Sequence, residues 1–128
     1  MIQTAFCERF GVEHPVVQAP IGGASCPALA AAVSNAGGLG MLAGSWRSPG
    51  DLEVAVRETR ARTDRPFGVN FVLAFPAAER LEVVLESGVG VVSFSWGRPG
   101  GLADRVRAHG GRVIQTVSSA QEIGRAHV

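Results

Sequence analysis

The 128-residue sequence predicts a parallel α/β fold. Three observations carry this reading. Five short apolar runs recur, "VVQAP" from Val16, "GLGML" from Gly38, "PFGVNF" from Pro66, "GVVSF" from Gly90 and "RVIQTV" from Arg112, with starts 22, 28, 24 and 22 residues apart. Unbroken apolar runs of this length read as strands buried on both faces. Helical periodicity fills the gaps, and capping residues mark the junctions. Strands alternating with helices form parallel βα units with right-handed crossovers. Two architectures satisfy that pattern, a doubly wound sheet and a (β/α)8 barrel. A barrel needs about 200 or more residues, and this sequence supplies about four and a half units.

Each element follows in order. After the first run, "SCP" sets Pro27 at a helix start, and Leu29, Ala32, Val33 and Ala36 supply an i, i+3, i+4, i+7 stripe. Gly37 sits just past the last turn, where a left-handed residue is wanted. After the second run, "SPGD" gives Ser48 and Asp51 capping-box spacing, with Pro49 in the first turn. Leu52, Ala55, Val56 and Thr59 then form the buried stripe. Leu81, Val84 and Leu85 mark the next helix, ended by Gly88, and a less clearly patterned helix spans 100–109.

The stretch "AAVSNAGGLGML", residues 31–42, raises a separate question, because Gly37, Gly38 and Gly40 resemble a phosphate cradle. The order is wrong for one. A dinucleotide fingerprint runs strand, glycines, helix, with the anion at a helix N-terminus. Here the glycines follow a helix C-terminus, whose dipole has the opposite sign. The stretch reads as a helix-to-strand turn.

Composition bounds the function. At 46% apolar residues and a formal net charge of +1, the chain is globular, with no basic footprint for nucleic acid or an anionic membrane. No apolar run approaches a membrane span, and "MIQTAFCERF" lacks the regions of a signal peptide, so a cytoplasmic location is expected. Cys7 and Cys26 are expected to be reduced. All 12 basic residues are Arg, so no side chain can form a Schiff base.

In parallel βα folds the chemistry lies in the loops after the strands. Those loops are "QAPIGGAS" (18–25), "AGSW" (43–46), "NFVLAFP" (70–76), "SFSWGRPG" (93–100) and "TVSS" (116–119), and none contains Asp, Glu or His. This leaves no carboxylate pair, no His–carboxylate metal site and no acid–base dyad. What remains is glycine, small residues, aromatics and neutral amides: Gln18, Asn70, Gln115, Trp46, Trp96 and the phenylalanines. Such a lining suits a flat, uncharged, hydrogen-bonding ring whose own chemistry brings the reactivity. Each residue also has a structural reading. Asn70 can pin a loop, Gln18 and Gln115 can be amides satisfied by neighbouring strands, the tryptophans can be packing, and Arg98 can be a solvated loop residue. His14 and His109 fall in turns away from these loops.

The ordered set "PVVQAPIGG", "LAAAVSNAGGLGML", "DRPFGVNF", "VVSFSWGRP" and "VIQTVSSAQE" resembles the N-terminal half of nitronate monooxygenases, formerly called 2-nitropropane dioxygenases, from Pro15 to Glu122. The resemblance implies the N-terminal half of a TIM barrel, residues 1–122, that binds FMN and oxidises alkyl nitronates with molecular oxygen. It places the backbone of Ala19, Pro20 and Ile21 along the isoalloxazine ring, gives Asn70 a hydrogen bond to the flavin, and sets Gln115 at a polar position near it. Family members usually carry Met where this sequence has Ile21. The family's catalytic His and its phosphate-binding glycine loops have no counterpart in these residues. FMN-dependent enoyl-ACP reductases have a similar N-terminal half and form an alternative. A second alternative is a non-enzymatic α/β module that binds a partner through an exposed strand face.

Residues 123–128 reverse-translate to the start of a widely used short-read sequencing adapter, and are read as a library scar to be set aside from fold reasoning, His127 included. A half barrel is expected to leave its inward side chains open and its two edge strands unpaired, and so to favour self-association.

Overall fold

The computed structural model describes residues 2–126. The elements run α1 (Ala5–Phe10), α2 (Pro27–Asn35), β1 (Gly40–Ala43), α3 (Pro49–Arg62), β2 (Phe67–Val72), α4 (Ala78–Glu86), β3 (Val91–Ser95), α5 (Gly101–Ala108), β4 (Arg112–Gln115) and α6 (Ala120–Ala126). The four strands form one parallel sheet in the order β1-β2-β3-β4. Sequential order in a parallel sheet means that each crossover helix returns on the same side. Residues 123–126 continue α6, while His127 and Val128 of the expected adapter-derived tail lie outside the described residues.

The caps act as the sequence implies. Ser48 Oγ accepts from the Asp51 backbone N–H at 3.1 Å. Pro27 stands in the first turn of α2. Gly37 takes a left-handed φ of 93° as the chain leaves α2. In α3 the expected stripe Leu52, Ala55, Val56 and Thr59 is buried, as is Leu81, Val84 and Leu85 in α4.

Three expectations are corrected. The first apolar run does not form a strand. It contributes one isolated parallel bridge, Val17 to Leu39, and Val16 and Val17 stay 58% and 42% exposed. Pro15 and Pro20 bracket the run and remove two backbone donors, so it cannot extend a ladder. In α2 the buried stripe is Ala30, Ala31 and Ser34, about one residue out of phase with the expected one, and Leu29 is left 39% exposed. The small side chains win because α2 lies directly over Gly40, and Ser34 Oγ both donates to Pro66 O (2.8 Å) and accepts from Gly40 N (3.1 Å).

The third correction concerns the inward face of the sheet. Leu39, Met41 and Val91 are not left open. They are 0%, 1% and 4% exposed, because α1 packs Cys7 and Phe10 over them, with Val12 alongside. Helix α1 has no counterpart among the elements expected from the sequence. Thr4 Oγ1 accepts from Cys7 N at its start, and Gly11 at φ 68° ends it.

Candidate functional site

Alternation along the strands gives the sheet two chemically different faces. Leu42, Val69, Phe71, Val92 and Phe94 point toward α3, α4 and α5 and belong to the main core with Leu52, Val56, Leu81 and Val84. The opposite face is divided along its length. Its lower end is the apolar layer under α1. Nearer the C-terminal ends of the strands the register sets Ala43, Asn70 and Ser93 side by side. A small residue, an amide and a small hydroxyl replace the aliphatic layer below.

Asn70 and Ser93 are each 7% exposed. Ser93 Oγ donates to Asn70 Oδ1 at 2.7 Å. The Asn70 side-chain N–H groups donate to no described residue. Asn70 Nδ2 is not among the buried side-chain atoms left without a partner, so its N–H groups reach the open side of the layer, where a ligand can accept from them. This layer therefore offers hydrogen-bond donors and no charge.

The loop after the first apolar run reaches the same rim. Carrying the Val17–Leu39 register forward sets residues 19–21 alongside Met41 and Ala43. Ala19 is exposed, Pro20 half-buried and Ile21 60% exposed. Gln18 and Ser25 hold this segment from behind. Gln18 Oε1 accepts from Met41 N (3.0 Å), Gln18 Nε2 donates to Ser25 Oγ (3.0 Å), and Ser25 Oγ accepts from Ile21 N (2.7 Å). Gln18 thus has the structural role, with both ends of its amide engaged inside the protein.

Gln115 is not brought to Asn70. Its register partner is Phe94, on the helix-facing side, and its Nε2 reaches toward Gly97 O at 3.5 Å. It lines a cleft of about 890 Å³ with Trp96, Arg98, Asp104, Arg107 and Glu122, between α5 and the turn into α6. Trp96 is 77% exposed and holds a left-handed φ of 59°, uncommon for a bulky side chain. Trp46 is exposed and meets Phe75 edge-on, with centroids 4.7 Å apart. His14 and His109 stand at the opposite end of the sheet, where the His14 backbone N–H donates to Gly37 O and the His109 ring meets Arg105 O.

Ser93 and Ser25 were not singled out from the sequence. The available signal was a polar residue inside an apolar, doubly buried strand: "VVSFS" has Ser93 as "GVNF" has Asn70. Only the register shows that the two meet. Among the described residues no group of three or more His, Cys, Asp or Glu could hold a metal ion, and no helix is long and apolar enough to cross a membrane.

Comparison with known proteins bears on this geometry. The nitronate monooxygenase family profile matches residues 3–79. A Rhodococcus jostii protein, (3aS,4S,5R,7aS)-5-hydroxy-7a-methyl-1-oxo-octahydro-1H-indene-4-carboxyl-CoA dehydrogenase, is 38% identical over 121 residues, 94% of this chain and 34% of that protein. Nitronate monooxygenase of Paraburkholderia phytofirmans is 53% identical over 74 residues, 57% of this chain and 20% of that protein. Among solved structures, FabK from Thermotoga maritima superposes with a TM-score of 0.92 at 38% identity, covering 98% of this chain and 42% of that one. Nitroalkane oxidase from Streptomyces ansochromogenes gives 0.84 at 30% identity, covering 97% and 45%. The four-stranded sheet with its helices is a partial (β/α)8 barrel. The chain spans about a third of the length of the first of these curated relatives.

Proposed function

The chain belongs to the nitronate monooxygenase family, and from that premise we propose that residues 1–122 are the N-terminal βα units of an FMN-dependent oxidoreductase. Its reaction in this reading is the oxidation of alkyl nitronates by molecular oxygen, with residues 123–128 an adapter-derived addition. The observation that carries the reading is Asn70: an amide at the rim whose N–H groups donate to no described residue, in an uncharged layer on the inward face, beside the segment Ala19, Pro20 and Ile21. That donor set fits the acceptor-rich edge of a flat neutral ring, and the layer carries no Asp, Glu, His or Cys beside it.

FMN bound here would supply the electron-transfer chemistry. The chain's own part is binding. Asn70 donates to the ring, and the backbone of residues 19–21 lies along it, held by Gln18 and Ser25. Below them, Leu39, Met41 and Val91 form an apolar floor sealed by α1, which keeps water from the inward face. Gln115 belongs to the rim of the site in this reading, beside Gly97 rather than against Asn70. The substrates are a small organic anion and oxygen, without nucleic acid or membrane as partner, and the uncovered edge of the sheet is a surface for self-association.

A second reading has its own support. The coenzyme A thioester dehydrogenase of Rhodococcus jostii matches 94% of this chain, whereas the Paraburkholderia phytofirmans monooxygenase matches 57%. The same site would then serve an FMN-dependent oxidoreductase of thioesters, the enoyl-ACP reductases included. One experiment tests both. The whole polypeptide carrying this segment is titrated with FMN by fluorescence quenching, then assayed for oxygen uptake with an alkyl nitronate and for NAD(P)H oxidation with an enoyl thioester. Nitronate-dependent oxygen uptake supports the first reading, and NAD(P)H oxidation the second. Absence of FMN binding sinks both and favours a non-enzymatic binding module.

A further inference from the structure

We infer that Ser93 is a positioning residue, whose hydroxyl fixes which way round the Asn70 amide is held and so makes Asn70 a donor to the bound ring. The inference rests on the flavin reading above and names a contact that the reading does not require. Asn70 and Ser93 are 23 residues apart in sequence and meet only through the β2–β3 register.

An asparagine side chain has two faces of opposite sign, a carbonyl that accepts and an amide nitrogen that donates. Its shape alone does not choose between them. At Asn70 the choice is made by one buried neighbour. Ser93 has a single hydroxyl proton and gives it to Oδ1 at 2.7 Å. Rotating the amide by half a turn would set Nδ2 against Ser93 Oγ. The serine would then accept, its proton would lose its acceptor, and Oδ1 would face outward. On the other side Asn70 is flanked by Ala43, which offers no side-chain partner. The reversed amide keeps a hydrogen bond to Ser93 but strands the buried serine proton, and it presents a carbonyl to a ring edge that itself carries acceptors. Both effects act in the same direction.

The backbone supports the same conclusion. Asn70 and Ser93 lie within paired parallel strands, so the ladder fixes their Cα positions. The hydroxyl need only set the rotation of the amide. A rigid strand pair is a better platform for this than a loop, because neither end can drift.

The test is a double-mutant cycle read by FMN affinity on the whole polypeptide, with thermal melts to confirm folding. Ser93→Ala is expected to raise the FMN dissociation constant about tenfold, the scale of one oriented buried hydrogen bond. In an Asn70→Ala background the same change should shift it by less than about twofold, because the partner through which it acts is gone. Ser93→Thr keeps the hydroxyl and should restore binding. Ser93→Cys fills the same space with a weak donor, so it reports the loss even where Ser93→Ala fails to fold. Wild-type affinity in both Ser93→Ala and Ser93→Cys overturns the inference. So does an equal loss with and without Asn70, which marks a general structural role. A wild-type protein that binds no FMN overturns the flavin reading first and the inference with it, and that outcome is distinguishable because it precedes any mutation.

Discussion

Gly40 is the position where one added methyl group should do the most damage. A Cβ built there would lie 1.9 Å from Ala30 O, 2.6 Å from Ala30 C and 2.8 Å from Ala30 Cα. These are backbone atoms of α2, so no side chain can swing aside. To restore ordinary contact the helix must recede by roughly 1.5 Å, far beyond what a close-packed core absorbs. Such a shift unseats Ala30 and Ala31 and breaks both Ser34 bonds, to Pro66 O at 2.8 Å and from Gly40 N at 3.1 Å. Overpacking costs about 1–3 kcal/mol, and two stranded buried polar groups add about 1–3 kcal/mol each. Gly40→Ala is therefore expected to destabilise by about 3–9 kcal/mol, which at roughly 4 °C per kcal/mol lowers the melting temperature by more than about 10 °C. Gly50→Ala is the matched control, since nothing lies within 4 Å of a Cβ in that turn of α3. It should be neutral or stabilise by up to about 1 kcal/mol. The assay is thermal unfolding by circular dichroism. If Gly40→Ala melts within about 2 °C of wild type, α2 is not seated on β1 as described, and the close-packing explanation of "NAGGLG" is wrong.

Further outcomes can be checked alongside. Asn70→Ala should weaken FMN retention by about tenfold or more while Gln115→Ala leaves it within about threefold, since the two amides face different sides of the sheet; equal losses in a fluorescence titration would contradict the register argument. Ser48→Ala should cost about 1 kcal/mol by removing the α3 cap, read as a shift in the denaturation midpoint. Arg65 holds the Glu13 carboxyl below its usual range by a hydrogen bond and by its charge. A depressed carboxyl contributes stability above its unfolded value, about 4.3, that is lost as pH falls through the folded value. Melting temperature should therefore decline less steeply in this window for Glu13→Gln than for wild type, and parallel curves would remove the pair from the acid response.

Residues with short-range causes were legible in the sequence. Pro27, Ser48 and Gly37 act on their own turns, and they sit where composition puts them. The stripe of α3 was readable because its outer face is charged, with Arg57, Glu58 and Arg62 exposed, so only one phase was possible. In α2 nearly every residue is small or apolar, and periodicity could not choose. The phase was set from outside the helix, by the bare backbone of Gly40 and by a carbonyl at Pro66 that needed a hydroxyl. Helix α1 failed for another reason. Six residues are too few to show a period, and only its caps, Thr4 and Gly11, could have revealed it.

The site divides along the same line. Asn70 could be named from sequence because a polar residue in a run of strand apolars is conspicuous by itself. Ser93 could not, because its meaning depends on a partner in another strand. A shift of one residue in the β2–β3 register would have turned it toward the helices and paired Asn70 with Val92 or Phe94 instead. The floor of the site has the same origin. Leu39, Met41 and Val91 look in sequence like residues of any buried strand, yet they lie on the inward face, and only the arrival of α1 beneath them closes that face from below. The apolar lower layer and the donor-bearing upper layer are therefore products of one register acting on four strands. What sequence reading loses first in a parallel sheet is which residues share a layer, and in this chain that layer is where the chemistry is proposed to occur.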